Sequence, residues 1–497
     1  MKKVILCAAA LMFGAVSFGQ VSGAPQATSQ SSVSNNSGDN QANKGKSEQA
    51  GTDHRVRVRQ AGTKQSVYTL QTNGSGTIGA NRAEVLQSGD VNGNSGRKNA
   101  ADVFQHGDEN KSLIMQQGDR NNAITNQGVS DDASARNAAF IRQGNNGNAE
   151  DNYAAIDQDG LDNQAKTIQT FDNNDAYTDQ DGDNHKSRIR QIARPDGSEG
   201  QWALVDQDGD GQESWVKQEG DGARNYAHTA QDGDNNYADQ YQTTDATSGN
   251  ANRARIAQGV NASYSPSGLD ISGDIEDLKD DTYGVMNLPS APTTPYSRDA
   301  QAFQDQDGDD NEASIGQYGE LGGNPPAGNY AEQDQTGDDN DAFIVQNLFG
   351  ASPAGGNKAQ QDQIGDNNDA GIVQSGSGHR ASQYQEGDDN IALSAQRGSG
   401  NKAFAYQYGD DNWVSIAQRG QMNKAVVSQY DGQSYVAEQN VSDGMPNGGN
   451  QIDVIQMGPA GANFGDAAAS CFIEMDMPQN WTPTPMPSTP DICTDCN

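Results

Sequence analysis

The sequence predicts an all-β fold, a flattened two-sheet β-solenoid of about fifteen rungs built from ~11-residue strand-turn units. Three observations predict it. Gln385, Gln396, Gln407, Gln418 and Gln429 fall eleven residues apart, and Asn390, Asn401, Asn412 and Asn423 each stand five residues after one of the first four. Within a unit the even steps Asn412, Val414, Ile416 and Gln418 differ in kind from the odd steps Trp413, Ser415 and Ala417. That period of two is a strand with a small or aliphatic inner face. Finally, where the spacing departs from eleven, the added residues fall between a Gln and the next Asn, as at 72–80, 88–98, 128–136, 144–151, 243–251, 318–328 and 347–356. Loops absorb such insertions, whereas a continuous right-handed helical coil of the same period could not take them at one phase. The intervening Q-x-G-D-x-N supplies the residue types that tolerate turn dihedrals.

Composition alone argues for disorder. Of 497 residues only 32% are hydrophobic and 6% aromatic, and the net charge is -36, so little apolar surface opposes the conformational entropy of an ordered chain. The repeat overturns that inference, because a stack of coils is held by ladder hydrogen bonds and stacked amides as well as by a core. The acidity argues against nucleic acid or an anionic membrane as partner, and for cations or a solvated surface.

In chain order, residues 1–19 have the form of a secretory signal peptide. Lys2 and Lys3 precede the apolar run VILCAAALMFGAV, and Ser17 and Gly19 hold the small-residue positions before a cut at Gln20. Cys7 lies at the start of that run, not its end, which argues against a lipoprotein signal. No later apolar run is long enough to span a bilayer. Residues 20–48, rich in Ser, Gln, Asn and Gly, form a flexible leader or export segment.

The repeats occupy 49–258, with a first clean strand at His54, Val56, Val58 and Gln60. Residues 259–300 break the pattern with Pro266, Pro289, Pro292, Pro295 and an acidic run from Asp270 to Asp281. Being short and polar, they are expected to form an excursion without a core. Repeats resume over 301–456, where the Gln429 to Gln439 unit is one residue short. The 457–497 tail holds Cys471, Cys493 and Cys496. Its C-x-x-C lacks the further ligands of a zinc site and the βαβ context of a redox site, which leaves a flexible end or a surface-attachment segment.

Catalytic chemistry is not expected. His54, His185 and His379 stand in the slot Asn normally fills, His106 is in a turn, and His228 is placed on the outward face. No nucleophile has a base beside it, and there is no phosphate loop or metal-ligand pair. Neither a cofactor nor a metal is expected, with weak calcium binding the one possibility held open. Asp108, Asp119, Asp183, Asp210, Asp234, Asp309, Asp338, Asp366, Asp388 and Asp410 follow turn glycines, so coiling should set many in columns, either as weak calcium sites or as a solvated charged edge. Asp206, Asp208, Asp210 and Gly211 match half of a calcium loop, but Lys217 stands where its bidentate Glu belongs.

The unit Q-x-G-x-x-N-x-A-x-x-x-Q resembles the curlin repeat, in which Gln and Asn recur as S-x5-Q-x4-N-x5-Q. Gln335, Asn340 and Gln346 match its Q-x4-N-x5-Q part, as do Gln363, Asn368, Gln374 and Gln407, Asn412, Gln418. With Gln385, Asn390, Gln396, Asn401, Asn423 and Gln429 they make up the expected structural ladder. The resemblance covers about residues 43 to 456. It implies a secreted subunit of curli-type, amyloid-like extracellular fibres for biofilm matrix and adhesion, polymerising head to tail, exported through an outer-membrane pore and started by a nucleator. The Ser slot is usually Asn here, the chain is longer than an ordinary curlin, and it carries long loops and a Cys-bearing tail. A calcium-binding repeat adhesin, surface-attached without polymerising, is the alternative. Outward positions such as Lys402 and Tyr406 are expected to face solvent.

Overall fold

A strand of about seven residues closed by a Gly-containing turn can stack only on the next coil of its own kind, and within each unit the described strands do so. The computed structural model describes residues 43–457 apart from 74–79, 90–98, 129–133, 145–148, 194–199, 221–223, 245–250, 320–327, 347–354, 442–447 and most of 260–296. The expected signal peptide, most of the expected leader and the three tail cysteines lie outside the described residues.

The described residues divide into two compact units, one up to Asn252 and one from Arg253 onward. In the first unit, one parallel sheet runs Lys44–Ala50, Ser66–Thr72, Ala100–His106, Asn122–Gln127, Tyr153–Leu161, Asp175–Asp183, Trp202–Asp210 and Tyr226–Asp234. Its second sheet runs Arg55–Ala61, Arg82–Ser88, Lys111–Gln117, Ala138–Gln143, Gln164–Thr170, Lys186–Ala193, Glu213–Gly220 and Tyr237–Thr244. Consecutive strands therefore alternate between sheets, two per coil.

The second unit repeats the plan. Its first sheet runs Arg253–Gln258, Glu312–Gln317, Asp341–Gln346, Asp369–Ser377, Ile391–Ser399, Trp413–Gln421 and Ser434–Gln439. Its second runs Gln301–Asp307, Tyr330–Thr336, Lys358–Ile364, Arg380–Glu386, Lys402–Tyr408, Lys424–Tyr430 and Gln451–Met457. Within each unit the strand pairings keep Gln opposite Gln, as in Gln385↔Gln407 and Gln396↔Gln418. The short unit keeps it too, because the missing residue comes out of the turn and Gln418 still pairs with Gln439.

The core of each unit lies between its two sheets. In the first, Val67, Val85, Val103, Ile114, Ile141 and Ile156 form one buried cluster with alternating alanines. Across the gap the hydroxyls of Ser112 and Thr125 meet at 2.7 Å. A buried isoleucine contributes about 1.5–3 kcal/mol, and most strands bury one such side chain or none, which makes the core thin.

Two boundaries differ from expectation. The strand Lys44–Ala50 begins inside the stretch assigned to the leader, and Gln49 donates to Gln71 at 2.7 Å. Its sequence KGKSEQA offers no aliphatic inner face, so periodicity of apolar residues misses it. The 259–300 excursion also reaches a core of its own. Residues 278, 281, 282 and 284 are helical, and Leu278 is buried with Tyr318, Phe343, Val345, Val373, Leu393 and Ala395 on the outer face of the second unit's first sheet. Gly371 admits this cover, since a Cβ there would stand 2.0 Å from the Thr282 hydroxyl.

Candidate functional site

The expected ladder residues come together in four amide columns, two in each sheet of the second unit. Along its second sheet Gln335 donates to Gln363 (3.0 Å), Gln363 to Gln385 (3.0 Å), Gln385 to Gln407 (2.9 Å) and Gln407 to Gln429 (3.0 Å). Along the first, Gln346 donates to Gln374, Gln374 to Gln396 and Gln396 to Gln418, all within 2.9 Å. All of these glutamines are buried.

At Gln335, Gln363 and Gln385 a further bond, to the carbonyl of the Asn five residues on, explains the spacing of the motif. The Nε2 of Gln385 also reaches the carbonyl of Asn390 and that of Asp369 in the facing sheet, both at 3.0 Å. One side chain thus bridges three strands and closes its own turn. Gln87 makes the same closing bond to Asn99 (3.2 Å) and Gln143 to Asn152 (3.1 Å) across longer turns. At these two turns the bond holds the loop at its neck, so the inserted residues leave the stack intact.

The Asn columns run the other way. Asn412 donates to Asn390 (2.9 Å), Asn390 to Asn368 (3.0 Å), Asn368 to Asn340 (3.0 Å) and, in the first sheet's turns, Asn423 to Asn401 (3.2 Å). Each Asn Oδ1 also accepts the backbone N–H of the next Asn, as at Asn340 from Asn368. Gln and Asn amides thus point in opposite directions along the stack, so their dipoles oppose one another while every buried polar atom named here is paired.

Histidine substitutes in this ladder as expected. His379 donates its own backbone N–H to Asn357 Oδ1 (2.9 Å), its Nδ1 takes the backbone N–H of Asn401 (3.3 Å), and its Nε2 lies 3.1 Å from the Ser375 carbonyl. That set needs a neutral ring with the proton on Nε2. Burial pushes the imidazole down to about 4 from its ordinary 6.5. A lowered folded-state value means stability that is complete above 6.5 and is lost as the pH falls through 4. His379→Asn should therefore remove part of the acid limb of a stability profile measured by denaturant unfolding from pH 7 to 3, and an unchanged limb would remove this role.

His228 is a correction. Its parity is outward, but it is 0% exposed, on the face where Tyr153, Tyr177, Trp202 and Tyr226 stack as an aromatic file. Parity fixes the side of a sheet and not whether that side is wet. Tyr406 likewise lies outward but is only 8% exposed.

The acidic turns form columns. The backbone N–H of Asp309 donates to Asp338 Oδ1, that of Asp338 to Asp366, that of Asp366 to Asp388 and that of Asp388 to Asp410, at 2.9–3.0 Å. These carboxylates are structural acceptors in the turn stack. Among the described residues no three metal-ligating side chains converge as a cation cage. In the first unit Asp157, Asp179 and Asp206 stand in register on an outer face, where burial and the neighbouring aspartates push Asp157 up to about 7 and Asp179 up to about 8. The half calcium loop is not a loop: Trp202–Asp210 and Glu213–Gly220 are strands.

Sequence reasoning missed a fifth amide column. Gln304 donates to Gln333, Gln333 to Gln361 and Gln361 to Gln383, each at 2.9 Å, inside the second unit. Its signal was the recurring Q-D-Q of 304–306, 333–335 and 361–363. Also missed were Gln201 and Gln433, which take Asn slots and donate their N–H groups to Asn174 and Asn412.

Compared with known proteins, residues 365–393 and 395–420 match the curlin associated repeat. No curated protein matches the chain.

Proposed function

From the two curlin associated repeats at 365–420, we propose that this chain is a secreted structural subunit that polymerises into curli-type extracellular amyloid fibres serving biofilm matrix and cell adhesion. The observation that carries the reading is the continuity of the Gln columns. In each unit they run from the first strand of a sheet to its last, from Gln49 to Gln231 and from Gln258 to Gln439, for example. A ladder of identical amides has no intrinsic end, so the rung that closes one copy presents the groups that a further copy would take. Passage through an outer-membrane pore and a nucleating partner are what such a subunit would require. The test is to dilute unfolded full-length chain into native buffer and follow it by thioflavin fluorescence, electron microscopy and fibre diffraction. Fibres with spacings near 4.8 Å along the axis are expected, and persistent monomers would refute the reading.

A further inference from the structure

Resting on the reading that copies stack end to end, we propose that the junction is charge-directed: Lys44–Ala50 and Arg55–Ala61 of one copy seat on Ser434–Gln439 and Gln451–Met457 of another, with Arg57 opposite Asp453. Among the described residues these four strands are the outermost of their sheets. The polarity of the Gln columns makes them unlike. Gln49 and Gln60 donate inward, to Gln71 and Gln87, and turn their carbonyl oxygens outward. At the other end Gln439 and Gln456 accept from Gln418 and Gln429 and carry the amide NH2 that would donate onward. An acceptor end thus meets a donor end only in head-to-tail contact.

Charge follows the same direction. The two opening strands hold Lys44, Lys46, Arg55, Arg57 and Arg59 against the single acid Glu48, while the closing strands hold Glu438 and Asp453 with no cation. Two opening ends repel one another, and an opening end attracts a closing end.

Register selects the pairing of sheets. Continuing the columns sets Gln439 on Gln49 and Gln456 on Gln60, and stepping back along the strands sets Asp453 on Arg57, Ile452 on Val56 and Val454 on Val58. Tyr435 then lies over Gly45, large on small. Val58 is 36% exposed as the chain stands and would be covered. Exchanging the sheets would set Ile452 on Gly45 and Val454 on Ser47, which wastes the apolar match. The one like-charge meeting, Glu438 with Glu48, is offset by Lys46, which is ion-paired to Glu48.

The test uses seeded elongation of the full chain at low salt. Arg57→Asp and Asp453→Arg should each slow elongation roughly tenfold, the double exchange should restore it to within about threefold, and Arg57→Lys should behave as wild type. In 1 M salt, where screening acts over about 3 Å, the single variants should approach wild type. Both side chains are exposed on terminal strands, and because Arg57 also pairs with Glu84 at 2.9 Å, denaturant unfolding of each variant separates a lost junction from a lost fold. Single variants that elongate like wild type, or a double variant slower than either, would overturn the junction while leaving polymerisation intact. A wild-type chain that never assembles would overturn polymerisation itself, and the junction with it.

Discussion

Replacing Gln407 and Gln418 together by leucine is expected to destabilise the repeat block by about 4–6 kcal/mol, because each change strands buried amide partners. Gln407 donates to Gln429 and to the Ile391 carbonyl, and accepts from Gln385. Gln418 stands in the same relation to Gln439, the Lys402 carbonyl and Gln396. Leucine matches the volume but leaves the Gln429 and Gln439 carbonyl oxygens without their donors in a dry interior. Arg397→Ser, on an exposed outer position, should stay within about 0.5 kcal/mol. Tyr406 would be a poor control, since its ring is buried. Denaturant unfolding of the soluble chain and the rate of thioflavin-positive assembly measure both effects. Equal losses in the Gln pair and in Arg397→Ser would refute the assignment of inner and outer faces.

The ladder was legible because two spacings had to hold at once. A Gln that must reach both the next Gln and the carbonyl of Asn five residues on cannot drift in sequence, and Gln385 with Asn390 records that constraint in its letters. Period two then gave the sides of each strand, and Val414 and Ile416 are buried between the sheets as their parity requires. Other features left no such trace. The cover that Leu278 provides over Phe343, Val373 and Leu393 depends on a contact between distant segments, and a single leucine in a polar stretch carries no periodic signal. The strand Lys44–Ala50 is held by the chain stacked on it, with Lys44 through Ala50 paired to Ser66 through Thr72, so its own residues hardly announce it. The interior column from Gln304 to Gln383 was hidden by a rule that usually works, namely that inner positions are apolar. Here each amide is satisfied by the next, and the column replaces an aliphatic one at no cost in unpaired groups.

The turns should prove as unforgiving as the ladder. Gly308, Gly337, Gly365 and Gly387 form a column with φ between 120° and 127°, a region that only glycine enters freely. Close stacking adds to the backbone demand: a Cβ on Gly365 would stand 2.2 Å from the Gly387 carbonyl oxygen, in the next coil. That carbonyl belongs to a stack in which the Gly387 N–H donates to Ile364 at 2.9 Å, so it cannot withdraw without opening the turn. Gly365→Ala should accordingly lose about 3 kcal/mol or more. Gly378 provides the comparison, because its φ of 65° is left-handed as well but a Cβ there meets nothing within 4 Å. Gly378→Ala should lose only the ordinary left-handed penalty of about 1 kcal/mol. Hydrogen exchange at the Gly387 amide, read alongside denaturant unfolding of both variants, locates the damage. Faster exchange there in Gly365→Ala alone is expected, and equal stability of the two variants would show that the coils do not stack at the distance on which the turn column depends.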